Sequence, residues 1–305
     1  MDKQWSVTTR VAARKRWLTR KRSNRLQIVK LLKPGKQGSV TLVRDRALQL
    51  DAVAKKTVFQ TAEHRRAVRE FNEKKRQARL QAEGLIEQKV WEKVNALVMG
   101  KKCPNFVLMY EKDFADDFRS ITTYSEVWDR TLHVFSHLPH INITEQAWVS
   151  IFFQICVALL TFHDAGIRHQ DLHGNNVFMK ALPKNSDYWT YKVDGKTYYC
   201  PNKGFMAAVS DYGRALSPAL KTRSSFQSYI DTKLDSTHQF YDLQRIYESI
   251  ERKTRRYGFF KNILFSKEEK QTNRPLAKII PRIFHMYQRK PLTGKNIDTF
   301  VVGRR

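Results

Sequence analysis

Residues His169 to Asn176 read His-Gln-Asp-Leu-His-Gly-Asn-Asn, and Asp211-Tyr212-Gly213 follows 35 positions on. The order supplies one Asp (Asp171), an Asn five residues later (Asn176) and a second Asp ahead of a Gly (Asp211). Phosphoryl transfer from a nucleotide asks for such a set. One carboxylate orients the attacking hydroxyl and takes its proton, while an amide oxygen and another carboxylate hold the metal ions that neutralise phosphate charge. In that chemistry Asp171 is the base, and Asn176 and Asp211 are the metal ligands. His169 is expected to pack beneath the loop and not to react.

These groups need a cradle for the phosphates and a cation to hold them. Ile28, Val29, Leu31 and Leu32 lead into Pro34-Gly35-Lys36-Gln37-Gly38 and on to Val40, Leu42 and Val43, which reads as strand, Gly-containing turn, strand. Gly35 and Gly38 would let backbone N–H groups approach a phosphate, with Val40 beside the nucleotide. A third strand, Leu48 to Val58, ends Ala52-Val53-Ala54-Lys55-Lys56. Alternation puts Leu50, Ala52, Ala54, Lys56 and Val58 on one face, with Ala54 toward an adenine ring and Lys56 toward the phosphates. Lys55 is the alternative phosphate ligand.

Residues 61–98 are charged and rich in helix formers, with Leu85, Val90, Trp91, Val94 and Leu97 on one stripe. The strand lysine needs a carboxylate partner on this helix. Glu87 is preferred to Glu83 and Glu92, because Trp91 lies four residues on along the same face and could pack toward the Asp211 turn. Asn105 to Tyr110 and Ser120 to Tyr124 read as short strands. Beyond about residue 130 the pattern turns helical. Asn142 and Glu145 are spaced as a capping box, and Trp148, Ile151, Phe152, Ile155 and Leu159 behind them form a core stripe. That helix ends near Gly166. Residues 236–252 read as another helix. The last 55 residues, with 15 Lys or Arg against 4 acids, look helical in patches.

At 305 residues and 41% hydrophobic the chain can build one large or two-lobed domain. A net charge of +27 points to acidic partners: nucleic acid, nucleoprotein, anionic lipid or acidic peptide. Residues 1–25 carry nine Lys or Arg against Asp2 and read as a basic arm. It could serve nuclear import, contact nucleic acid or remain a solvated tail, with Trp5 and Trp17 marking parts that pack. Three widely spaced cysteines suit neither a metal cluster nor a disulfide framework, which favours a reducing compartment. The most apolar stretch, Ala147 to Leu160, is short for a bilayer span, and the N-terminus lacks the apolar core of a secretory signal. The expectation is an intracellular protein, in nucleus or cytoplasm, without membrane insertion.

The motifs resemble the eukaryotic protein-kinase superfamily, and within it the haspin-like kinases and similar kinases of large DNA viruses. The likeness runs from about residue 28 to 250. The catalytic run with its second His (His173), the segment Tyr191 to Gly204 read as a hairpin insertion, the Asp211-Tyr212 turn, and His238-Gln239-Phe240-Tyr241-Asp242-Leu243 carry it. The resemblance implies an α+β, bilobal fold. The basic arm (1–25) precedes a small β-rich N-lobe with one long helix (26–128), and a compact, mainly helical C-lobe with a basic end follows (129–305). It implies ATP and Mg2+ (or Mn2+) between the lobes, transfer to Ser or Thr of protein substrates, and an Asp242 that holds the catalytic-loop backbone. The charge would favour acidic or nucleoprotein-associated substrates, in a host cell if the protein is viral. Two departures stand out. Gln170 replaces the Arg that many such enzymes use to read a phosphorylated activation segment, and no Ala-Pro-Glu follows Asp211, which lies only 31 residues before Asp242.

Two other functions share parts of this pattern. A small-molecule kinase of the aminoglycoside or choline type also carries a His-x-Asp-Leu-His-x-x-Asn loop; the hairpin and the Gln239–Asp242 segment speak against it. A kinase-fold scaffold that binds nucleic acid would suit the charge, but intact Asp171, Asn176 and Asp211 favour catalysis.

Overall fold

The strand–turn–strand pattern pairs as its alternation requires. The computed structural model describes residues 5–20, 26–35, 38–58, 86–115, 120–138, 143–217, 239–254, 275–291 and 293–302. Strands β1 (Gln27–Gly35), β2 (Gly38–Asp45) and β3 (Leu50–Val58) join β4 (Met109–Phe114) and β5 (Ser120–Ser125) in an antiparallel sheet of order β1-β2-β3-β5-β4. The strand expected over 105–110 therefore lies later, at β4. The segment read as a basic arm contains a helix, α1 (Val7–Leu18), opened by a capping box between Ser6 and Thr9.

Helix α1 is not a solvated tail. Trp17 is fully buried, with ring centroids 5.8 Å from Tyr110 and 5.4 Å from Tyr124 on the sheet. Its indole N–H donates to Glu111 at 3.1 Å. Arg10 is also buried. Its guanidinium pairs with Glu126 (Nη2–Oε1 2.6 Å, Nε–Oε2 2.9 Å) and donates to the carbonyls of Pro104 and Phe106. Glu126 in turn accepts from Leu108 N at 2.7 Å and Trp128 Nε1 at 3.0 Å. A buried charge is tolerated on these terms: opposite charge at contact, and every remaining polar site filled.

Helix α2 spans 86–99. Asn95 on it both donates to and accepts from the Met109 backbone at 3.0 Å, which locks α2 to β4. After β6 (Arg130–Thr131) and α3 (Leu132–His137) comes α4 (Glu145–Asp164), whose residues Ala147 to His163 are all buried. Its N-cap is Thr144, whose hydroxyl accepts from Ala147 N at 3.3 Å; the expected cap Asn142 lies outside the described residues. By length and apolarity α4 could cross a membrane, but it is enclosed by the rest of the chain as a core helix. Phe153 at its centre meets Tyr191, Phe284 and Tyr287 edge-on.

The second half holds more strand than the sequence suggests. β7 (Val177–Ala181) lies between β6 and β10 (Phe205–Val209). The expected hairpin insertion is β8 (Tyr188–Val193) and β9 (Lys196–Pro201), turning at Asp194-Gly195, both with positive φ. Helices α5 (Gln239–Thr254) and α6 (Pro275–Ile283) follow. The C-terminal region, expected to be helical in patches, ends in strand β11 (Asn296–Val302), which pairs in parallel with β8. A strand fits there because Ile297, Phe300 and Val302 have a covered apolar surface to meet, and Phe300 packs on Tyr191 at 5.2 Å. The three cysteines are free and buried, and burial pushes the Cys103 and Cys200 thiols up to about 12.

Replacing Arg10 by Met leaves the Glu126 carboxyl without its cationic partner in the interior. Urea denaturation should show a loss of about 3 to 5 kcal/mol. A loss below about 1 kcal/mol would mean that α1 does not depend on this pair.

Candidate active site

The catalytic run follows α4 through a tight exit. Gly166 takes φ +74, and Arg168 then forms a two-bond bridge with Leu216 (2.9 and 2.8 Å). Asp242 on α5 holds the next turn. Its Oδ2 accepts from His169 N at 2.7 Å and its Oδ1 from Gln170 N at 2.8 Å, while His163 Nε2 sits 3.2 Å from Oδ2. Burial raises the cost of the Asp242 charge, but these bonds outweigh it and hold the carboxyl below its usual range. Burial also lowers His163, whose hydrogen bond supports the anion together with the two backbone N–H groups. They let Gln170 keep φ 68, a left-handed conformation that a Gln seldom adopts. His169 is buried, with Nε2 2.9 Å from the Ser210 carbonyl oxygen, so it packs under the loop as expected.

The β7–β10 pairing brings the two halves of the set together. Val177 pairs with Val209, and Ser210 N donates to the Asn176 carbonyl at 2.9 Å. Asn176 Nδ2 donates to the Asp171 carbonyl at 2.8 Å, which leaves the amide oxygen as an acceptor. Asp211 sits one residue beyond, with φ 64. Tyr212 is anchored by a 2.6 Å bond from its hydroxyl to the Val209 carbonyl and by ring contacts to Trp91 (5.1 Å), Phe162 (5.4 Å) and His169 (5.7 Å). Trp91 therefore packs against the Asp211 turn, as its place four residues after Glu87 predicts.

Lys55, not Lys56, closes the site. Its Nζ lies 2.9 and 3.1 Å from the Glu87 oxygens and 3.3 Å from Asp211 Oδ1. Lys56 is exposed on the opposite face of β3. The face assignment fails because the buried face of β3, with Ala52 and Ala54, is turned away from Glu87. Ala54 shares its face with cross-strand Tyr124, whose ring lies against Trp17 of α1, so Ala54 is buried away from the cleft. The strand face read as cleft-facing is in fact the one whose cross-strand neighbour Tyr124 meets α1, the helix within the segment read as a basic arm. Val53, beside Lys55 on the cleft face by alternation, takes the place given to Ala54. Val40 lies directly across from Lys55.

Two carboxylates surround the Lys55 ammonium. Burial opposes its charge, but Glu87 and Asp211 outweigh that and raise its pKa. Asp211 is lowered, chiefly by Lys55. Burial pushes Glu87 up, against the pull of Lys55. Lys55 thus ties the sheet to α2 and to the Asp211 turn. Gly38 lies so close to β3 that a Cβ there would stand 1.7 Å from the Lys56 carbonyl oxygen, so strand packing alone demands glycine. Gly35 pairs with Gly38, and Lys36 and Gln37 between them lie outside the described residues, as does Glu83.

One contact at the site was not expected from the sequence. Arg214, three residues after Asp211, places Nη1 3.3 Å from Asp171 Oδ1. A cation so soon after the second Asp was the available signal.

No protein-family model matches the chain. It is 29% identical over 163 residues to an Invertebrate iridescent virus 6 protein named probable serine/threonine-protein kinase 380R, which covers 50% of this chain and 31% of that one. It is 36% identical over 59 residues to a Frog virus 3 (isolate Goorha) protein, 019R, that also bears a serine/threonine-protein kinase name, over 18% of this chain and 7% of that one. A 70-residue match at 36% identity joins it to uncharacterized protein R403 of Acanthamoeba polyphaga mimivirus, over 21% and 9% of the two chains. Among solved structures, a crystal structure of a kinase domain overlays with TM-score 0.45 and 15% identity, over 65% of this chain and 53% of that one. The chain thus spans less than a third of each of these viral proteins. The chain is similar over part of its length to viral proteins that bear serine/threonine-protein kinase names, and its fold brings Lys55, Glu87 and Asp211 together.

On the expectation from the sequence that this site takes ATP, Lys55→Met should weaken ATP binding at least about tenfold by calorimetry, whereas Lys56→Met should change it less than about twofold; the reverse order would return the role to Lys56. Asp242→Ala leaves two buried N–H groups unpaired and should cost about 2 to 4 kcal/mol in a denaturant titration at pH 7. Because the folded pKa of Asp242 is lowered, its contribution is present above the unfolded value near 3.8 and fades as pH falls through the folded value. The gap between wild type and Asp242→Ala should therefore narrow in acid.

Proposed function

We propose that this chain is an ATP- and Mg2+-dependent protein kinase that phosphorylates Ser or Thr, of the haspin-like kind. The observation that carries the reading is the convergence of Asp171, Asn176, Asp211 and the Lys55–Glu87 pair on one cleft.

Each residue has a distinct task. Lys55, held by Glu87, is placed to bind the α- and β-phosphates of ATP. Val40 and Val53 form the adjoining apolar surface for the base. Asp171 accepts the hydrogen bond of the acceptor hydroxyl and then its proton. Asn176 and Asp211 offer an amide oxygen and a carboxylate, hard oxygen donors that suit Mg2+. Among the described residues no group of three or more His, Cys, Asp or Glu could hold a metal alone. That fits an ion bound mainly by substrate phosphates, with few protein ligands. Such an ion would supply charge neutralisation on the phosphates. The Asp242 anchor fixes Asp171 through the backbone on its N-terminal side, and Asn176 fixes it from the other. The net charge of +27 supports acidic or nucleoprotein-associated substrates, with nucleic acid as a further partner.

The test is transfer of radiolabelled γ-phosphate with Mg2+ onto a panel of acidic and basic proteins, beside Asp171→Asn. Label on Ser or Thr should fall by at least about 100-fold in the variant. Sugars or amino alcohols that accept label while proteins do not would instead point to a small-molecule kinase.

A further inference from the structure

The γ-phosphoryl group carries its charge on three oxygens during transfer, and a cation beside them accelerates the step. Lys55 is committed to Glu87 and Asp211 at the far side of the Asp211 turn. The catalytic run from Asp171 to Asn176 contains no Lys or Arg. Its one basic residue is His173. The ring Nδ1 of His173 accepts from Asn175 N at 3.2 Å, and burial lowers its pKa.

Arg214 supplies what the loop lacks. Its guanidinium reaches Asp171 at 3.3 Å, with the Arg214 side chain 43% exposed and that of Asp171 28%. Its backbone is not free to wander. Ala215 N donates to the Tyr212 carbonyl at 2.9 Å, and the next residue, Leu216, is bonded both ways to Arg168. The segment is thus fixed at both ends to the groups that flank the reaction. A guanidinium has five donors in a planar fork, a geometry that suits carboxylate and phosphate oxygens alike.

We infer that Arg214 is a catalytic residue that binds the γ-phosphoryl group from the Asp171 side and neutralises its charge during transfer. The inference rests on the phosphotransferase reading above. The acceptor oxygen forms its bond to the γ-phosphorus, and the bond from that phosphorus to the β,γ-bridging oxygen breaks. The electron pair leaves on ADP, and the hydroxyl proton goes to Asp171. Arg214 exchanges no atoms in this step.

The test compares wild type, Arg214→Lys, Arg214→Ala and Asp171→Asn. Binding of ADP and of a non-hydrolysable ATP analogue is measured by calorimetry with Mg2+, and γ-phosphate transfer in single turnovers. Arg214→Ala should bind ADP within about twofold of wild type, lose at least about tenfold of its preference for the ATP analogue over ADP, and transfer at least about 100-fold more slowly. Arg214→Lys should restore part of both, and added guanidinium should partly rescue Arg214→Ala. Wild-type or faster transfer in Arg214→Ala would overturn the inference and make Arg214 a cover over Asp171. Equal loss of ADP and analogue binding would make it structural. Failure of the kinase reading shows differently: no Asp171-dependent label in the wild type, while the ADP-to-analogue preference still reports on Arg214.

Discussion

One buried carboxylate sets the geometry of the cleft. Asp242 spends both its oxygens on backbone N–H groups of consecutive residues, His169 and Gln170. Charge-assisted bonds of this kind are short and strong, and they replace hydration that the interior does not offer. With the backbone pinned there, Gln170 is held in a left-handed turn, His169 is driven down onto Tyr212, and Asp171 emerges toward the cleft. The stack continues through Tyr212 to Trp91 and so to α2, which carries Glu87 to Lys55. The polar site is thus carried on an apolar column whose base is a single anion.

The catalytic run was legible because its chemistry is local. Asp171 and Asn176 lie five residues apart and meet within one turn, so their relation survives in the sequence. Trp91 was legible for a similar reason, since its place on the Glu87 face follows from helical period. The face of β3 was not. Alternation says which residues share a side, but not which side looks into the cleft, and Ala52 and Ala54 seemed apolar enough for either. The deciding fact is α1, which carries four Arg or Lys in twelve residues yet is buried through Val7, Arg10 and Trp17.

Arg10 shows why charge content alone misleads. Its guanidinium stacks 5.5 Å from the centre of Trp128 and has carbonyls and a carboxylate at its edges, so a helix of low hydrophobicity still seals an interior surface. Arg20 repeats the theme with its side chain largely buried, 5.2 Å over Trp17 and paired with Glu111 at 2.9 Å. A large positive balance is compatible with packing where each cation has an aromatic face and an anion to meet. The same balance hid the C-terminal strand, whose Asn296–Val302 run follows a basic stretch yet closes a sheet.

That strand has a consequence for how the chain assembles. β11 pairs with β8, and the side-chain bond from Thr190 to Asn296 spans 106 positions. Val301 N also reaches the Lys101 carbonyl at 3.2 Å, and Lys101 binds Asp298 at 2.8 Å, so the same strand touches the segment after α2. Contacts of such long sequence separation require large loops to close before any energy is returned. During synthesis the β8–β9 hairpin is made long before its third strand, and it must stay in solution with an open edge until residues 296–302 leave the ribosome.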